Sequence, residues 1–131
     1  MADLNQGDAV PEIKVTPDKY LPHRYAGASG DFNPIHIDSE FAQMVGLPRN
    51  ILHGLYTMAQ VARAQTEAAG GDPRTLRRLR VQFRGIGVPE QEIVVSGTVR
   101  ERDSERVVID TEAVQAGTGI VRNAEAEIEL R

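Results

Sequence analysis

The sequence contains no cysteine and no tryptophan, and only 5% of its 131 residues are aromatic. The lack of cysteine excludes disulfides, thiolate metal sites and a cysteine nucleophile. With so few aromatic residues, a core must be built from valine, isoleucine, leucine and alanine. No apolar run approaches the roughly 20 residues that a membrane-spanning helix needs. The first residues also lack the basic and apolar regions of a signal peptide. We therefore expect a soluble, cytoplasmic protein with no membrane partner.

Length and charge narrow the class further. A chain of 131 residues is typical of one domain with a real core, and we expect a single domain over residues 1–131. Residues 1–11 read as a polar lead-in. The net charge of −4 argues against nucleic acid as a partner.

The first half of the chain predicts helices after one short strand at residues 12–15. Thr16 and Pro17 form a helix-start signal, with Pro22 expected to kink that helix or delay its start. A short helix follows at 39–45, ended by Gly46 in the left-handed conformation. The longest helix is expected at 53–69. Five of its residues recur at helical spacing, and we expect that face to be buried: Leu55, Met58, Ala59, Ala62 and Thr66.

The second half of the chain predicts strands. Apolar Leu79, Val81 and Phe83 alternate with polar residues, which is the period of a half-buried strand. Two further strands at 93–102 and 107–115 are separated by a turn, and a last strand begins near Ile120. Consecutive strands with hairpin connections predict an antiparallel sheet with one covered face, and the long helix is its natural cover. The fold class is therefore α+β.

The candidate chemistry lies between Ser29 and His36. Asp31 and His36 are five residues apart around a turn that Gly30 and Pro34 constrain. A carboxylate beside an imidazole can fix the imidazole tautomer or share a water with it. Such a pair works as a general base near neutral pH.

A second element of a site lies at His53 and Gly54, just before the longest helix. A glycine there lets an oxygen approach the backbone, and the free N–H groups of a helix start stabilise a developing oxyanion. The Asp31–His36 general base and an oxyanion site together suit chemistry next to a thioester carbonyl, where the intermediate is enolate-like.

The run Tyr25-Ala-Gly-Ala-Ser-Gly-Asp-Phe-Asn-Pro-Ile-His36, together with Ile51-Leu-His-Gly54, resembles the MaoC-like dehydratases and (R)-specific enoyl-CoA hydratases. The resemblance implies a hot dog fold, in which an antiparallel sheet wraps around a long central helix. It also implies that Asp31 and His36 activate water, while Asn33 holds the turn and touches that water. Two more residues complete the expected substrate-binding side of the site: Ser29 as a turn hydroxyl and His53 at the helix entry.

The resemblance further implies a hydro-lyase that hydrates trans-2-enoyl thioesters to (3R)-hydroxyacyl thioesters in fatty-acid or polyketide metabolism. The Gly54 amide would bind the thioester oxygen. No cofactor and no metal are expected. Members of this family form dimers of hot dog chains, so a homodimer or a heterodimer is expected here.

A cluster of arginines offers a binding surface for the phosphates of coenzyme A or for an acidic carrier protein, because arginine binds phosphate in a bidentate manner. The alternative is an ordinary solvated strand face. The residues expected to contact this acyl carrier, whether coenzyme A or a carrier protein, are Arg78, Arg80 and Arg84.

Three alternatives remain open. A hot dog thioesterase would need a carboxylate near the central helix, where none occurs before Glu67. A subunit of a hetero-oligomeric dehydratase would need a sister chain. A metal site would use Asp31, His36 and Asp38 as hard ligands, although Asp38 is better suited to cap a helix.

Overall fold

Alternating apolar residues in the second half of the chain form one antiparallel sheet, and the long helix packs on it. The computed structural model describes residues 4–130. The sheet has the strand order β1-β3-β4-β5-β2. Its strands are β1 (Ala9–Val15), β2 (Leu76–Phe83), β3 (Ile93–Arg102), β4 (Arg106–Gln115) and β5 (Thr118–Glu129). The helices are α1 (Leu21–Ser29), α2 (Pro34–Ile37), α3 (Ser39–Met44) and α4 (Gly54–Ala68), with a 3-10 turn at Pro73–Thr75. The predicted α+β architecture is confirmed.

The N-terminal segment contributes more than a polar lead-in. β1 begins at Ala9, inside the stretch expected to be a lead-in, and it pairs with β3 at one edge of the sheet. Leu4 and Val10 are buried in the core that β3, β4 and β5 form. Their apolar side chains explain why this segment packs. Residues 1–3 and 131 of the expected domain lie outside the described residues.

The short helices begin where capping groups allow. α1 starts at Leu21, so Pro22 falls in its first turn, where a missing N–H costs nothing. This start is later than the Thr16 signal predicted. Asn33 caps α2 by accepting from the Ile35 amide at 3.2 Å, and Asp38 caps α3 by accepting from the Glu40 amide at 2.9 Å. Two caps therefore produce two helices where one was predicted.

The buried face of α4 differs from the predicted one. Leu55 and Ala59 are exposed, whereas the residues that pack inward are Tyr56, Thr57, Val61, Ala64, Gln65 and Ala68. Gln65 can be buried because its amide donates to the Thr111 hydroxyl at 2.9 Å and to the Val61 carbonyl at 3.1 Å. Apolar periodicity alone could not reveal these partners.

β5 carries two irregularities that its alternating sequence did not reveal. Along the β4–β5 pairing, β5 advances by two residues, from Gly119 to Val121, while β4 advances by one. Ile120 is therefore an extra residue in β5. A second extra residue falls between Val121 and Ala124, where Asn123 adopts a φ of +50°. The inserted residues bring both Ile120 and Val121 to buried positions. Bulges of this kind re-aim side chains next to active sites.

Within residues 4–130, no helix is both long enough and apolar enough to cross a membrane.

Candidate active site

Asp31 and His36, called the dyad below, lie in and directly after a loop that is shaped by its own side chains. Gly30 ends α1 with a φ of +80°, a conformation that favours glycine. The Ser29 hydroxyl then accepts from the Asp31 amide at 3.2 Å, and Asp31 Oδ1 accepts from the Asn33 amide at 3.2 Å. Asn33 in turn uses its side-chain oxygen to cap α2. Ser29 and Asn33, both expected at the substrate, thus engage their oxygens in holding the turn.

His36 is held in one tautomer. Its Nδ1 lies 2.8 Å from the Ile51 carbonyl oxygen, and because a carbonyl can only accept, Nδ1 carries the hydrogen. In the neutral ring Nε2 then keeps its lone pair. Nε2 lies 3.8 Å from Asp31 Oδ2, too far for a direct hydrogen bond and suited to a bridging water. The His36 side chain is 9% exposed and that of Asp31 is 54% exposed, so the pair spans the boundary with solvent.

His53 lies against both members of the dyad. Its Nε2 is 3.0 Å from the Asp31 main-chain oxygen, and its ring stacks on His36 with centroids 3.8 Å apart and planes 20° apart. The Nδ1 of His53 is buried and has no hydrogen-bond partner among the described residues. Because Nε2 is occupied, the direct substrate contact expected of His53 through that atom is not available in this arrangement.

Gly54 and His36 line the same cavity, which measures about 160 Å³. Gly54 is the first residue of α4, and helix geometry leaves its N–H without an intrahelical acceptor. A Cβ at this position would lie 3.2 Å from Phe83 Cε1, so the glycine keeps the helix start open. The remaining wall is mainly apolar: Ile51, Leu52, Thr57, Phe83, Gly85, Ile86, Gly87 and Ile120.

A larger groove, of about 690 Å³, lies elsewhere on the sheet and contains none of the dyad residues. In its wall Arg100 pairs with Asp110 at 2.8 Å, and the same guanidinium pairs with Glu125 at 2.6 Å. The Arg100 hydrogen bond is the main cause that holds the pKa of Glu125 below its usual value. The smaller cavity, which holds His36 and Gly54, is therefore the better candidate for chemistry.

A metal would have to use Asp31, His36 and His53, whose ligand atoms lie within 4.8 Å of one another. The two imidazoles are nearly parallel, and nitrogen lone pairs lie in the ring planes. One ion between the stacked planes would lie well out of both, which does not fit imidazole coordination. Asp38, which the sequence offered as a ligand, instead spends Oδ1 capping α3.

The three arginines expected to contact a carrier are all exposed, and they differ in their neighbours. Arg80 lies 3.5 Å from Glu125, whereas Arg84 donates to the Gln82 side-chain oxygen at 2.8 Å. Arg78 and Arg84 have no ion pair among the described residues. Arg84 directly follows Phe83, which lines the cavity, and so lies closest along the chain to its mouth.

Two other side chains bear on alternative chemistry. Glu67 lies 13 residues along α4 from Gly54, about 20 Å away at 1.5 Å per residue, and pairs with Arg63 at 3.7 Å. A thioesterase carboxylate acting at the same helix start is therefore not supplied by α4. Burial raises the pKa of the Tyr56 hydroxyl, which keeps it protonated beside the Tyr25 ring.

Comparisons with known proteins agree with this fold and place the chain in a family. A family model described as a MaoC like domain matches residues 5–123. The beta subunit of fatty acid synthase from Aspergillus oryzae is 39% identical over 110 residues, which cover 82% of this chain and 5% of that protein. The peroxisomal hydratase-dehydrogenase-epimerase of Neurospora crassa is 31% identical over 121 residues, which cover 92% of this chain and 12% of that protein. The chain thus spans only 5 to 12% of the length of these relatives.

A solved structure described as a MaoC-like dehydratase superposes on the chain with a TM-score of 0.92 at 27% sequence identity. The match covers 98% of this chain and 41% of that one.

Proposed function

Since the chain belongs to the MaoC-like domain family and has its hot dog fold, we propose that it hydrates trans-2-enoyl thioesters. The product is a (3R)-hydroxyacyl thioester, and the same site dehydrates that product in the reverse direction. The support comes from the residues of the small cavity and from relatives whose names include a hydratase and a dehydratase.

One observation carries the proposal: the 2.8 Å contact between His36 Nδ1 and the Ile51 carbonyl oxygen. This contact assigns the hydrogen to Nδ1, so in the neutral ring the lone pair is on Nε2, which lies 3.8 Å from the Asp31 carboxylate. A water between these groups can donate one hydrogen to each. This is the arrangement needed to deprotonate water without a metal or a cofactor.

The reaction balances with these groups alone. The His36–Asp31 dyad takes one proton from the water, and the hydroxide oxygen bonds to Cβ of the enoyl group. The electron pair of the double bond moves to Cα and the thioester oxygen. The dyad then returns the proton to Cα on the same face, so that one water has been added in total.

The Gly54 amide is the proposed partner of the thioester oxygen while it carries negative charge. It begins the 15-residue helix α4, whose dipole favours an anion at this end. It also lines the same 160 Å³ cavity as His36. The donor and the base can therefore reach one acyl group.

The carrier of the acyl group is proposed to be coenzyme A or an acyl carrier protein, with Arg84 as its nearest cation along the chain. Among the described residues the side chain of Arg84 has only the neutral Gln82 amide as a partner, so its charge is available for a phosphate. The charge of Arg80 is partly neutralised by Glu125. Arg78 lies on β2 with Arg80, farther along the strand from the cavity.

A second hot dog chain is the proposed protein partner. Within residues 4–130, β2 lies at an edge of the sheet and pairs only with β5, which leaves its other side open to an added strand. Exposed apolar residues lie near that edge and at the start of α4. They are Leu55, Phe83 and Ile86.

The proposal is tested with trans-2-butenoyl-CoA, by following loss of the enoyl absorbance and the chirality of the product. Asp31→Asn and His36→Ala are each expected to reduce kcat by about 10²- to 10⁴-fold, which is the usual share of general acid–base catalysis. Asp110→Asn and His23→Ala are the matched controls, since both residues lie outside the cavity, and they are expected to retain wild-type kcat.

Full hydration activity in either dyad variant would refute the mechanism. Release of free thiol from a saturated acyl-CoA, without hydration of the enoyl substrate, would instead establish the thioesterase alternative.

A further inference from the structure

His53 contacts both members of the dyad and directly precedes Gly54, and it adds to the hydrogen bond by which His36 is already tied to Ile51. The dyad residues Asp31 and His36 come from a loop and from α2, and the oxyanion donor comes from the start of α4. Among residues 4–130, the hydrogen bond from His53 to the Asp31 carbonyl is the only one that joins the 30–33 loop to residues 53–57.

The hydrogen of His53 can be placed from its contact. The Asp31 carbonyl oxygen can only accept, so Nε2 of His53, 3.0 Å away, carries the hydrogen. The neutral ring therefore keeps its lone pair on Nδ1, which is buried and without a partner in the described part of the chain. An unsatisfied buried acceptor costs stability, which offsets part of what the hydrogen bond and the ring contacts of His53 contribute.

The ring of His53 is held on its faces as well as at its edge. It stacks on His36 at 3.8 Å between centroids and contacts the Tyr25 ring at 4.7 Å. Its backbone is held too, because the His53 carbonyl accepts from the Tyr56 amide at 3.1 Å. The ring therefore packs against Tyr25 of α1 and His36 of α2, while the backbone of the same residue begins α4.

We propose that His53 is a positioning residue, which sets the distance between His36 Nε2 and the Gly54 amide by stacking on His36 and hydrogen-bonding the Asp31 carbonyl. This inference rests on the proposed hydratase function. It replaces the substrate contact expected from the sequence with an indirect role, since the Nε2 that would reach a substrate is already occupied.

The two halves of the role can be separated by substitution. His53→Phe keeps a ring for the stack and removes the donor, whereas His53→Gln keeps an N–H donor at a similar reach and removes the stack. Each is expected to lower kcat by about 10- to 100-fold with KM changed by less than about threefold, because misplacement by about 1 Å can cost that much in rate. A double variant with Asp31→Asn is expected to lose little beyond Asp31→Asn alone, because the two act through one alignment.

His23 supplies the matched control. It also places Nε2 near a main-chain oxygen, that of Ile37 at 3.2 Å, but it is exposed and outside the cavity. His23→Phe is expected to keep wild-type kcat. Thermal unfolding of every variant, compared at equal folded fraction, separates loss of alignment from loss of fold.

A readout independent of activity tests the assigned hydrogen. In protein labelled with ¹⁵N at histidine, long-range proton–nitrogen spectra at neutral pH should report His53 as the Nε2–H tautomer and His36 as the Nδ1–H tautomer. The spectrum of His36 should change in His53→Phe and not in His23→Phe.

Several outcomes overturn the inference. Wild-type kcat in both His53 variants would overturn it, as would activity losses that vanish after correction for folded fraction. An Nδ1–H tautomer at His53 would contradict the proposed contact. If wild-type protein fails to hydrate the enoyl-CoA at all, the proposed function fails; if only the His53 variants behave as wild type, the positioning role fails alone.

Discussion

At the scale of single residues, main-chain oxygens decide the chemistry of the two buried imidazoles. The Ile51 carbonyl leaves Nε2 of His36 free, whereas the Asp31 carbonyl occupies Nε2 of His53. Two stacked and chemically identical rings therefore acquire different roles: one faces the carboxylate, and the other has its donor engaged. The motif around Asp31 predicted the first role, and nothing local in the sequence indicated the second, since His53 meets Asp31 across 22 residues.

Gly54 supports a residue-scale prediction. Gly54→Ala would place a methyl 3.2 Å from Phe83, a half-exposed side chain that can move, so the fold should survive. The methyl and the displaced ring would narrow the cavity at the amide, and we expect kcat/KM for trans-2-butenoyl-CoA to fall about tenfold or more.

Phe83→Ala added to Gly54→Ala should recover part of that loss by returning space. Gly27→Ala serves as the control, because a Cβ there meets nothing within 4 Å. Unchanged kinetics in Gly54→Ala would show that close approach at this amide is not required.

At the scale of elements, β5 and α4 depart most from the simple patterns in their sequences. The alternating residues of β5 are typical of a strand with one buried and one exposed face. The two inserted residues change which face the following side chains occupy. In α4 the prediction of the buried face was wrong. The buried face includes polar Gln65, whose amide donates to the Thr111 hydroxyl across the core. Element type and approximate position followed from periodicity, whereas the bulges and the helix rotation depended on contacts between distant segments.

The irregularity at Asn123 supports a prediction at this scale. Its φ of +50° is tolerated by asparagine and disfavoured for a β-branched residue. Asn123→Val is expected to lower the free energy of unfolding by about 1–2 kcal/mol in urea titrations. Asn123→Gly should cost far less. Arg122→Val, at the neighbouring exposed position, is the control, and an equal loss there would refute the conformational explanation.

At the scale of the whole molecule, the exposed apolar residues and the free edge of β2 lie on the part of the surface that also bears the cavity. Leu55 is 63% exposed and Phe83 is 51% exposed, and each borders the Gly54 helix start in sequence or in space. Exposed apolar side chains gathered beside a free strand edge are typical of an interface. The candidate cavity would then be completed by the partner chain.

We expect light scattering of the purified protein to give a mass of about twice 14.4 kDa. Phe83→Arg should shift the protein toward monomer and reduce hydration activity, because it places a charge in the apolar contact. Met44→Arg, which changes another exposed apolar residue at the end of α3, should leave the mass unchanged.

A fully active monomer would refute the need for a partner. An inactive monomer that gains activity on adding a sister hot dog chain would identify the hetero-oligomeric alternative as correct.

The extra residue at position 120 of β5 has a consequence for how this chain could diversify. Ile120 lines the cavity and is buried in the same core as Val121, yet it is surplus to the β4 ladder, whereas Val121 keeps its β4 partner. The side chain at 120 can therefore be exchanged for a smaller or larger one with little change to strand register. Mutation at that one position would retune the acyl groups that fit the cavity at a cost in core packing, so a lasting change there would be accompanied by a stabilising substitution elsewhere.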